Sequence, residues 1–142
     1  MKSFIYIFYF FSILNQSLFA SVTIEKEKEI YHLGDKIYFL EDSTKKLKIS
    51  DVNDPKWKNK FKKSKEKIPN LGYSKGPYWI KVVINNESKN KKKWYLVWNT
   101  IYTDKIQFFK KKKSKWVSIT TGDSFNSSTR EIESRFFIFK IS

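Results

Sequence analysis

The chain has 142 residues, the length of one domain rather than two. Its 29 lysine and arginine residues outnumber its 14 acidic residues, which gives a formal net charge of +15. Cysteine is absent and histidine occurs once. This composition excludes a disulfide framework, thiol catalysis and the usual zinc sites built from cysteine and histidine.

Residues 1–20 have the pattern of a secretory signal peptide. Lys2 supplies a positive start, Phe4–Ile13 is apolar and aromatic, and Ala20 is a small residue at the expected cleavage point. The apolar run is shorter than the ~20 residues that a membrane-spanning helix needs. We therefore predict an exported protein. The alternative is an uncleaved N-terminal anchor, because Leu18 is large for a cleavage site.

The remaining residues, 21–142, predict one exported β-sandwich domain. No other segment is apolar enough to cross a membrane. A domain without disulfides must be held by its core, and the aromatic residues supply much of that core. We expect a periplasmic or extracellular location, tethered to a membrane only if the signal stays uncleaved or the gene continues into membrane helices.

The first half of this domain predicts short strands and a little helix. Val22–Ile24 is a candidate strand, and Lys36–Leu40 predicts a buried strand because it is a short apolar run between turn residues. Ser50 can cap a brief helix, and Pro55 can begin another helical turn. This is the only helical part that we predict.

The second half predicts strands and turns to its end. Tyr78–Asn85 is a strand after a Gly-Pro turn, and Trp94–Trp98 is apolar on both faces, so we expect both faces to be covered. Asp104–Phe109 and Lys115–Ile119 form a hairpin with a lysine tip, and Arg135–Ile141 is the last strand. Turn signals about every eight to twelve residues predict an all-β, jelly-roll-like β-sandwich.

The last predicted strand has no turn or polar tail after it. Phe137, Phe139 and Ile141 alternate along it, and an open edge of this kind is a pairing hazard. We therefore expect a truncated sandwich that lacks C-terminal strands and leaves these three side chains uncovered.

Catalytic groups are scarce in this sequence. His32 is the only imidazole and lies beside a turn, away from any nucleophile motif. Acidic residues are scattered, and no glycine-rich phosphate loop is present. The sequence therefore predicts no enzyme, no catalytic residue, no metal site and no cofactor.

Binding groups concentrate in three predicted loops, Tyr73–Gly76, Asn99–Asp104 and Asp123–Arg130. Loops at one end of a sandwich are held rigidly and stay exposed, so binding residues collect there. Aromatic faces, guanidinium forks and carboxylate acceptors suit a small polar ligand, either a saccharide or a small carboxylate. The predicted ligand-binding residues are Tyr73, Tyr102, Asp104, Asp123, Arg130 and Arg135. The alternative is that the aromatic residues belong to the core and the arginines form salt bridges at the rim.

The lysines support a second hypothesis. Every basic residue except Arg130 and Arg135 is lysine, with clusters at Lys89–Lys93 and Lys110–Lys113. Solvated lysine is the common case, and arginine is preferred for phosphate recognition, so we expect no nucleic-acid partner. The alternative function is a free-standing exported basic protein that associates with anionic membrane or nucleic acid through its lysines.

An ordered series of short motifs runs from Ile24 to the C-terminus. Its most specific part is Leu71–Ser74 followed by Tyr78–Lys81 and Asn85. The other motifs are Tyr38–Ser43, Leu47–Val52, Trp94 with Leu96, Asp104–Ile106 with Phe108, Gly122–Asp123, and Arg135–Phe136 with Phe139. Taken together, the series resembles the type 2 extracellular domain of the 7TM receptors with diverse intracellular signalling modules.

The resemblance implies an extracytoplasmic β-jelly-roll, likened to carbohydrate-binding modules, that precedes seven membrane helices and a cytoplasmic kinase or cyclase. In that family the domain continues with further strands beyond the position of Ser142. The resemblance therefore implies only the sensor-domain role for this chain. It transfers no binding residue.

Overall fold

The computed structural model describes residues 19–25, 27–86, 93–100 and 102–141. The predicted signal peptide up to residue 18 and most of the lysine cluster Lys89–Lys93 lie outside these residues. Over the described ranges, no helix has the length and apolar character needed to cross a membrane. The residue contacts divide the chain into two compact units, Met1–Lys89 and Asn90–Ser142.

The first unit contains five short strands, one of which has only two residues, together with one short α-helix and two 3-10 helices. The elements are β1 (Ser21–Ile24), a 3-10 helix (Gly34–Lys36), β2 (Tyr38–Glu41), α1 (Ile49–Val52), a 3-10 helix (Pro55–Lys60), β3 (Lys62–Lys63), β4 (Tyr78–Lys81) and β5 (Val83–Asn86). Strands β3, β2 and β4 form an antiparallel sheet in that order, and β1 pairs with β5 in parallel. The predicted strand is confirmed at Tyr38–Glu41, although Lys36 belongs to the preceding 3-10 helix. Short helices form at both predicted positions, but Lys48 rather than Ser50 is the N-cap of α1.

The predicted strand Tyr78–Asn85 is two strands in the structure, separated at Val82. In β4, Lys81 lies opposite Tyr38 of β2, whereas in β5 Val83 lies opposite Ser21 of β1. The chain thus leaves one sheet and enters another within a single residue. Alternation along a strand shows which residues share a face but does not identify the strand that pairs with it.

Local hydrogen bonds explain the helical region of the first unit. The backbone N–H of Lys48 donates to the Asp51 carboxylate at 2.8 Å at the start of α1. Asp54 accepts from the backbone N–H of Lys56 at 2.9 Å, immediately ahead of the 3-10 helix that Pro55 begins. Both carboxylates therefore satisfy helix N-terminal donors that would otherwise lack a partner.

The second unit consists of two strand pairs. Its elements are β6 (Tyr95–Trp98), β7 (Ile106–Lys112), β8 (Lys115–Thr121), a 3-10 helix (Ser127–Thr129) and β9 (Phe137–Lys140). Strands β7 and β8 form a hairpin, which confirms that prediction, and β6 pairs with β9 antiparallel. Lys113 in the hairpin turn has a φ of 56°, a left-handed conformation that a tight turn requires.

The pairing of β9 with β6 corrects one expectation about the C-terminal strand. Phe137 and Phe139 are only 1% and 2% exposed, so the prediction that they are left uncovered is wrong. Leu96 lies opposite Phe139 in the register, and the Phe139 ring stacks on Phe108 at 4.5 Å between centroids. The buried Phe137 and Phe139 are therefore part of the core of the second unit.

The opposite face of β6 corrects a second expectation. Tyr95 and Val97 are exposed, while Leu96 and Trp98 are partly buried. The prediction that both faces of this strand are covered is therefore wrong for the described chain. One face packs on the unit's interior, and the other is open.

The fold class is all-β. Most regular structure in the described residues is strand, arranged in several small sheets with a few short helices, which is consistent with a β-sandwich. The jelly-roll connectivity stays a prediction.

Candidate functional site

The candidate site consists of two loops of the second unit that lie side by side. We call them the loop pair: the bend Tyr102–Asp104 and the loop Gly122–Arg130. The backbone N–H groups of Asp123 and Ser124 donate to carbonyl oxygens of the bend at 2.9 and 3.1 Å. The indole N–H of Trp98 donates to a threonine hydroxyl of the bend at 3.0 Å. Both loops are thus fixed to each other and to β6.

Gly122 makes this close approach feasible. Its φ is 142°, a conformation that residues with a side chain rarely adopt. A Cβ at this position would overlap the carbonyl group of Asp104, with 2.6 Å to the carbonyl carbon, and would lie 2.8 Å from the Cα of Lys105. The contact between the two loops therefore requires glycine here.

A hydroxyl chain supports the longer loop from inside. The buried Thr121 lies with its Oγ1 2.9 Å from the Oγ1 of Thr129, which donates to the carbonyl of Asn126 at 2.8 Å. The Asn126 side chain accepts from the backbone N–H of Ser128 at 2.9 Å and caps the 3-10 helix. Buried polar groups that are satisfied in this way hold a loop in one conformation.

Arg130 anchors the end of the loop. Its side chain is 19% exposed, and its Cζ lies 4.8 Å from the ring centroid of Phe137. The Nη1 atom donates to the carbonyl of Ser134, and Nη2 lies 3.8 Å from a carboxylate oxygen of Asp123. That separation is an ion pair but is too long for a hydrogen bond. The buried Nε has no hydrogen-bond partner among the described residues.

The other predicted site residues have different surroundings. Tyr102 is 86% exposed at the start of the bend, and Asp104 is exposed beside it. Arg135 places its Cζ 4.7 Å from the ring centroid of Phe136, beyond the loop pair in the sequence. Tyr73 belongs to the first unit and is fully exposed there. The loop pair thus contains Tyr102, Asp104, Asp123 and Arg130.

In the first unit, the turn that carries Tyr73 is fastened by Glu41. This carboxylate accepts from the Ser74 hydroxyl at 2.8 Å and from the backbone N–H of Lys75 at 2.9 Å. The hydrogen bond from Lys75, followed by that from Ser74, lowers the pKa of Glu41. Next to it, a Cβ on Gly76 would overlap the carbonyl of Asp42. The motif Tyr38–Ser43 therefore packs directly against the turn at Tyr73–Gly76, although the two are separate in the sequence.

Asp42 holds the turn that follows β2. Its buried carboxylate accepts from the Thr44 hydroxyl at 2.6 Å and from the backbone N–H of Leu47 at 2.9 Å. Burial acts most strongly and raises the pKa of Asp42, but these two hydrogen bonds, together with those from the backbone of Lys46 and Lys45, lower the pKa overall. Asp42 belongs to the sequence motif Tyr38–Ser43, but its anchoring role depends on contacts with later residues and was not predicted.

The lysine hairpin differs from the loop pair. Lys111, Lys112 and Lys115 are exposed, whereas Lys110 is partly buried. Lys110 pairs with Glu131 at 3.4 Å and donates to the carbonyl of Lys140 at 2.7 Å. Glu131 was not among the predicted residues, because its partners are distant in the sequence.

No group of three or more His, Cys, Asp or Glu residues in the described part of the chain is placed to hold a metal ion. His32 is exposed. The loop pair presents an exposed phenol, two exposed carboxylates and a partly buried guanidinium, all of which can form hydrogen bonds.

Comparison with protein families finds one match that covers most of the chain. The model described as 7TMR-DISM extracellular 2 matches residues 34–142, a range that includes the loop pair and most of the first unit. Neither the curated proteins nor the solved structures include a significant match.

Proposed function

Because the chain belongs to the 7TMR-DISM extracellular 2 family, the extracellular sensor domains of 7TM receptors, we propose that its loop pair binds a saccharide or a small carboxylate. The observation that carries this proposal is the anchored loop Gly122–Arg130, whose backbone is bonded to the bend Tyr102–Asp104. Polar groups on such a loop keep their positions before a ligand arrives, which lowers the cost of binding.

A carboxylate ligand would use Arg130. Its guanidinium is held against Phe137, and its ion pair with Asp123 is longer than a hydrogen bond. Asp123 is itself substantially exposed and can turn away. A ligand carboxylate in its place would form charge-assisted hydrogen bonds to the planar guanidinium.

A saccharide would use the exposed end of the loop pair. Tyr102 presents a ring whose face can pack against the apolar side of a sugar. Asp104 lies two residues away and supplies acceptors for ligand hydroxyl groups. Both ligand classes therefore depend on residues of the same two loops.

The domain acts on the extracytoplasmic side. In the proposed function, ligand binding at the loop pair is passed to membrane helices and from there to a cytoplasmic kinase or cyclase. The receptor context of the family supports the membrane helices in this proposal, and the kinase or cyclase is proposed with them; residues 34–142 would supply the sensing part.

The test is a calorimetric screen of the whole chain against saccharides and small carboxylic acids. Tyr102→Ala and Asp104→Asn should each weaken binding by about 1 to 3 kcal/mol, the usual scale for a lost hydrogen bond or an unpaired polar group. Tyr95→Ala is the matched control, because Tyr95 is an exposed tyrosine on β6 outside the loop pair. If both site variants bind every ligand as the parent does, the proposal is wrong.

Arg130 needs a different variant. Because Arg130 also anchors its loop, Arg130→Ala would confuse lost binding with lost structure. Arg130→Lys keeps the positive charge but removes the planar guanidinium, which can donate two parallel hydrogen bonds to one carboxylate. Carboxylate binding should therefore weaken, while saccharide binding changes little. A thermal melt of the same variant shows whether the loop is retained.

A second candidate function rests on the lysine hairpin. Exposed Lys111, Lys112 and Lys115 surround a turn, and the half-exposed Trp116 lies opposite Lys111 in the register. Lysines beside an exposed aromatic ring suit the surface of an anionic membrane. Sedimentation with phosphatidylserine vesicles should then weaken steeply as salt rises, whereas binding of a neutral saccharide at the loop pair should barely respond.

A further inference from the structure

Phe19 and Ala20, the two residues ahead of β1, pack into the first unit. Phe19 is 5% exposed, and its ring lies edge-on to Tyr38 at 4.7 Å between centroids. It also lies edge-on to Phe61 at 5.9 Å. The backbone N–H of Ala20 donates to the hydroxyl of Tyr38 at 2.8 Å. Edge-to-face pairs of buried aromatic rings are favourable beyond the apolar area that they bury.

Phe19 also covers a charged group. The Nζ of Lys81 lies 4.2 Å from the centroid of the Phe19 ring. Lys81 lies opposite Tyr38 in the pairing of β2 with β4, so one aromatic side chain contacts both members of that cross-strand pair. Burial, and then the charge of Lys58, lowers the pKa of Lys81. The electron-rich ring face favours the charged form and opposes this shift.

These contacts conflict with the cleavage point that the sequence favours. A cut after Ala20 would remove Phe19 and leave a gap beside Tyr38 and Phe61, since packed cores close such gaps only partly. It would also take the ring from Lys81 and the hydrogen-bond donor from the Tyr38 hydroxyl.

We propose that Phe19 and Ala20 belong to the mature domain, so that any cleavage of the leader lies on the N-terminal side of Phe19. The two residues lie ahead of the family match, which begins at residue 34, so only their own contacts assign this role. The mature first unit then includes an aromatic residue, ahead of β1, that closes its core.

The direct test is the N-terminus of the exported protein. The full chain with its own leader is expressed in a bacterium that exports it, and the product is analysed by intact mass and N-terminal sequencing. The expected first residue is Phe19 or one that precedes it. A mature chain that begins at Ala20, Ser21 or later overturns the proposal.

A second test asks whether Phe19 acts in the folded product. In the exported full-length chain, Phe19→Ala should lower the melting temperature by about 10 °C or more, because loss of a buried phenylalanine ring leaves a cavity. Phe125→Ala is the matched control, since Phe125 is exposed and should change it by only about 1 or 2 °C.

Phe19→Leu is a milder variant, which keeps the test informative if Phe19→Ala does not fold. Leucine keeps most of the apolar volume but lacks the ring over Lys81, so it should melt between the parent and Phe19→Ala. A residue that is removed with the leader cannot alter the melting of the mature protein. Identical melting of the parent, Phe19→Leu and Phe19→Ala therefore also overturns the proposal.

Discussion

Gly122→Ala should break the contact that joins the two loops of the candidate site. The φ of 142° is a region that costs a residue with a side chain about 1 to 3 kcal/mol. The added Cβ would overlap the carbonyl of Asp104, so the loops must separate. Their two backbone hydrogen bonds, from Asp123 and Ser124, contribute about 1 kcal/mol each. We expect the second unit to lose about 3 kcal/mol or more.

The matched control is Gly72→Ala. Gly72 also has a positive φ, of 65°, but a Cβ there would meet nothing within 4 Å. Alanine in that conformation costs about 1 to 2 kcal/mol, partly offset because alanine restricts the unfolded chain. The difference between the two variants therefore reports mainly the contact of Gly122 with Asp104, since both substitutions place alanine at a positive φ.

Urea unfolding of the whole chain, followed by tryptophan fluorescence, measures this difference. Gly122→Ala should unfold at a midpoint about 1 M lower than Gly72→Ala, given the usual dependence on urea concentration for small domains. Circular dichroism at zero urea checks that both variants are folded at the start. Equal midpoints would show that the loops do not need their close approach, and the account of the anchored loop would be wrong.

Three further predictions concern the core and the acidic groups. Phe139→Ala should cost about 3 to 5 kcal/mol because Phe139 is buried, whereas the exposed Phe125→Ala should cost under about 1 kcal/mol, as measured by urea unfolding. Thr121→Val should cost about 1 to 3 kcal/mol, since it removes the buried hydroxyl that supports the loop, and an unchanged thermal melt would contradict this role. The lowered pKa values of Glu41 and Asp42 mean that their stabilisation is present above the ordinary carboxyl range near pH 4 and is lost as pH falls through the folded-state pKa values. Melts from pH 7 down to pH 3 should show this loss, and Glu41→Gln should reduce it.

Much of the local structure could be predicted because its causes are local. Alternation of apolar and polar residues located the hairpin and the strand at Phe137–Lys140, and Pro55 located the start of a 3-10 helix. The candidate site could be predicted only in part from such local patterns. Its residue types and loops follow from composition, but the partners of Arg130, which are Asp123, Ser134 and Phe137, follow from folding. The role of these residues in ligand binding stays a prediction.

The all-β class, the family and the positions of the main turns could be predicted from the sequence, because side-chain alternation and turn residues act over only a few positions. Tertiary structure alone decided which strands pair, and hence that Phe137 and Phe139 are buried against β6. It also decided that Gly122 meets Asp104 and that Phe19 packs on Tyr38. Each of these contacts joins residues far apart in the chain, and their formation depends on how the whole unit packs rather than on any local pattern.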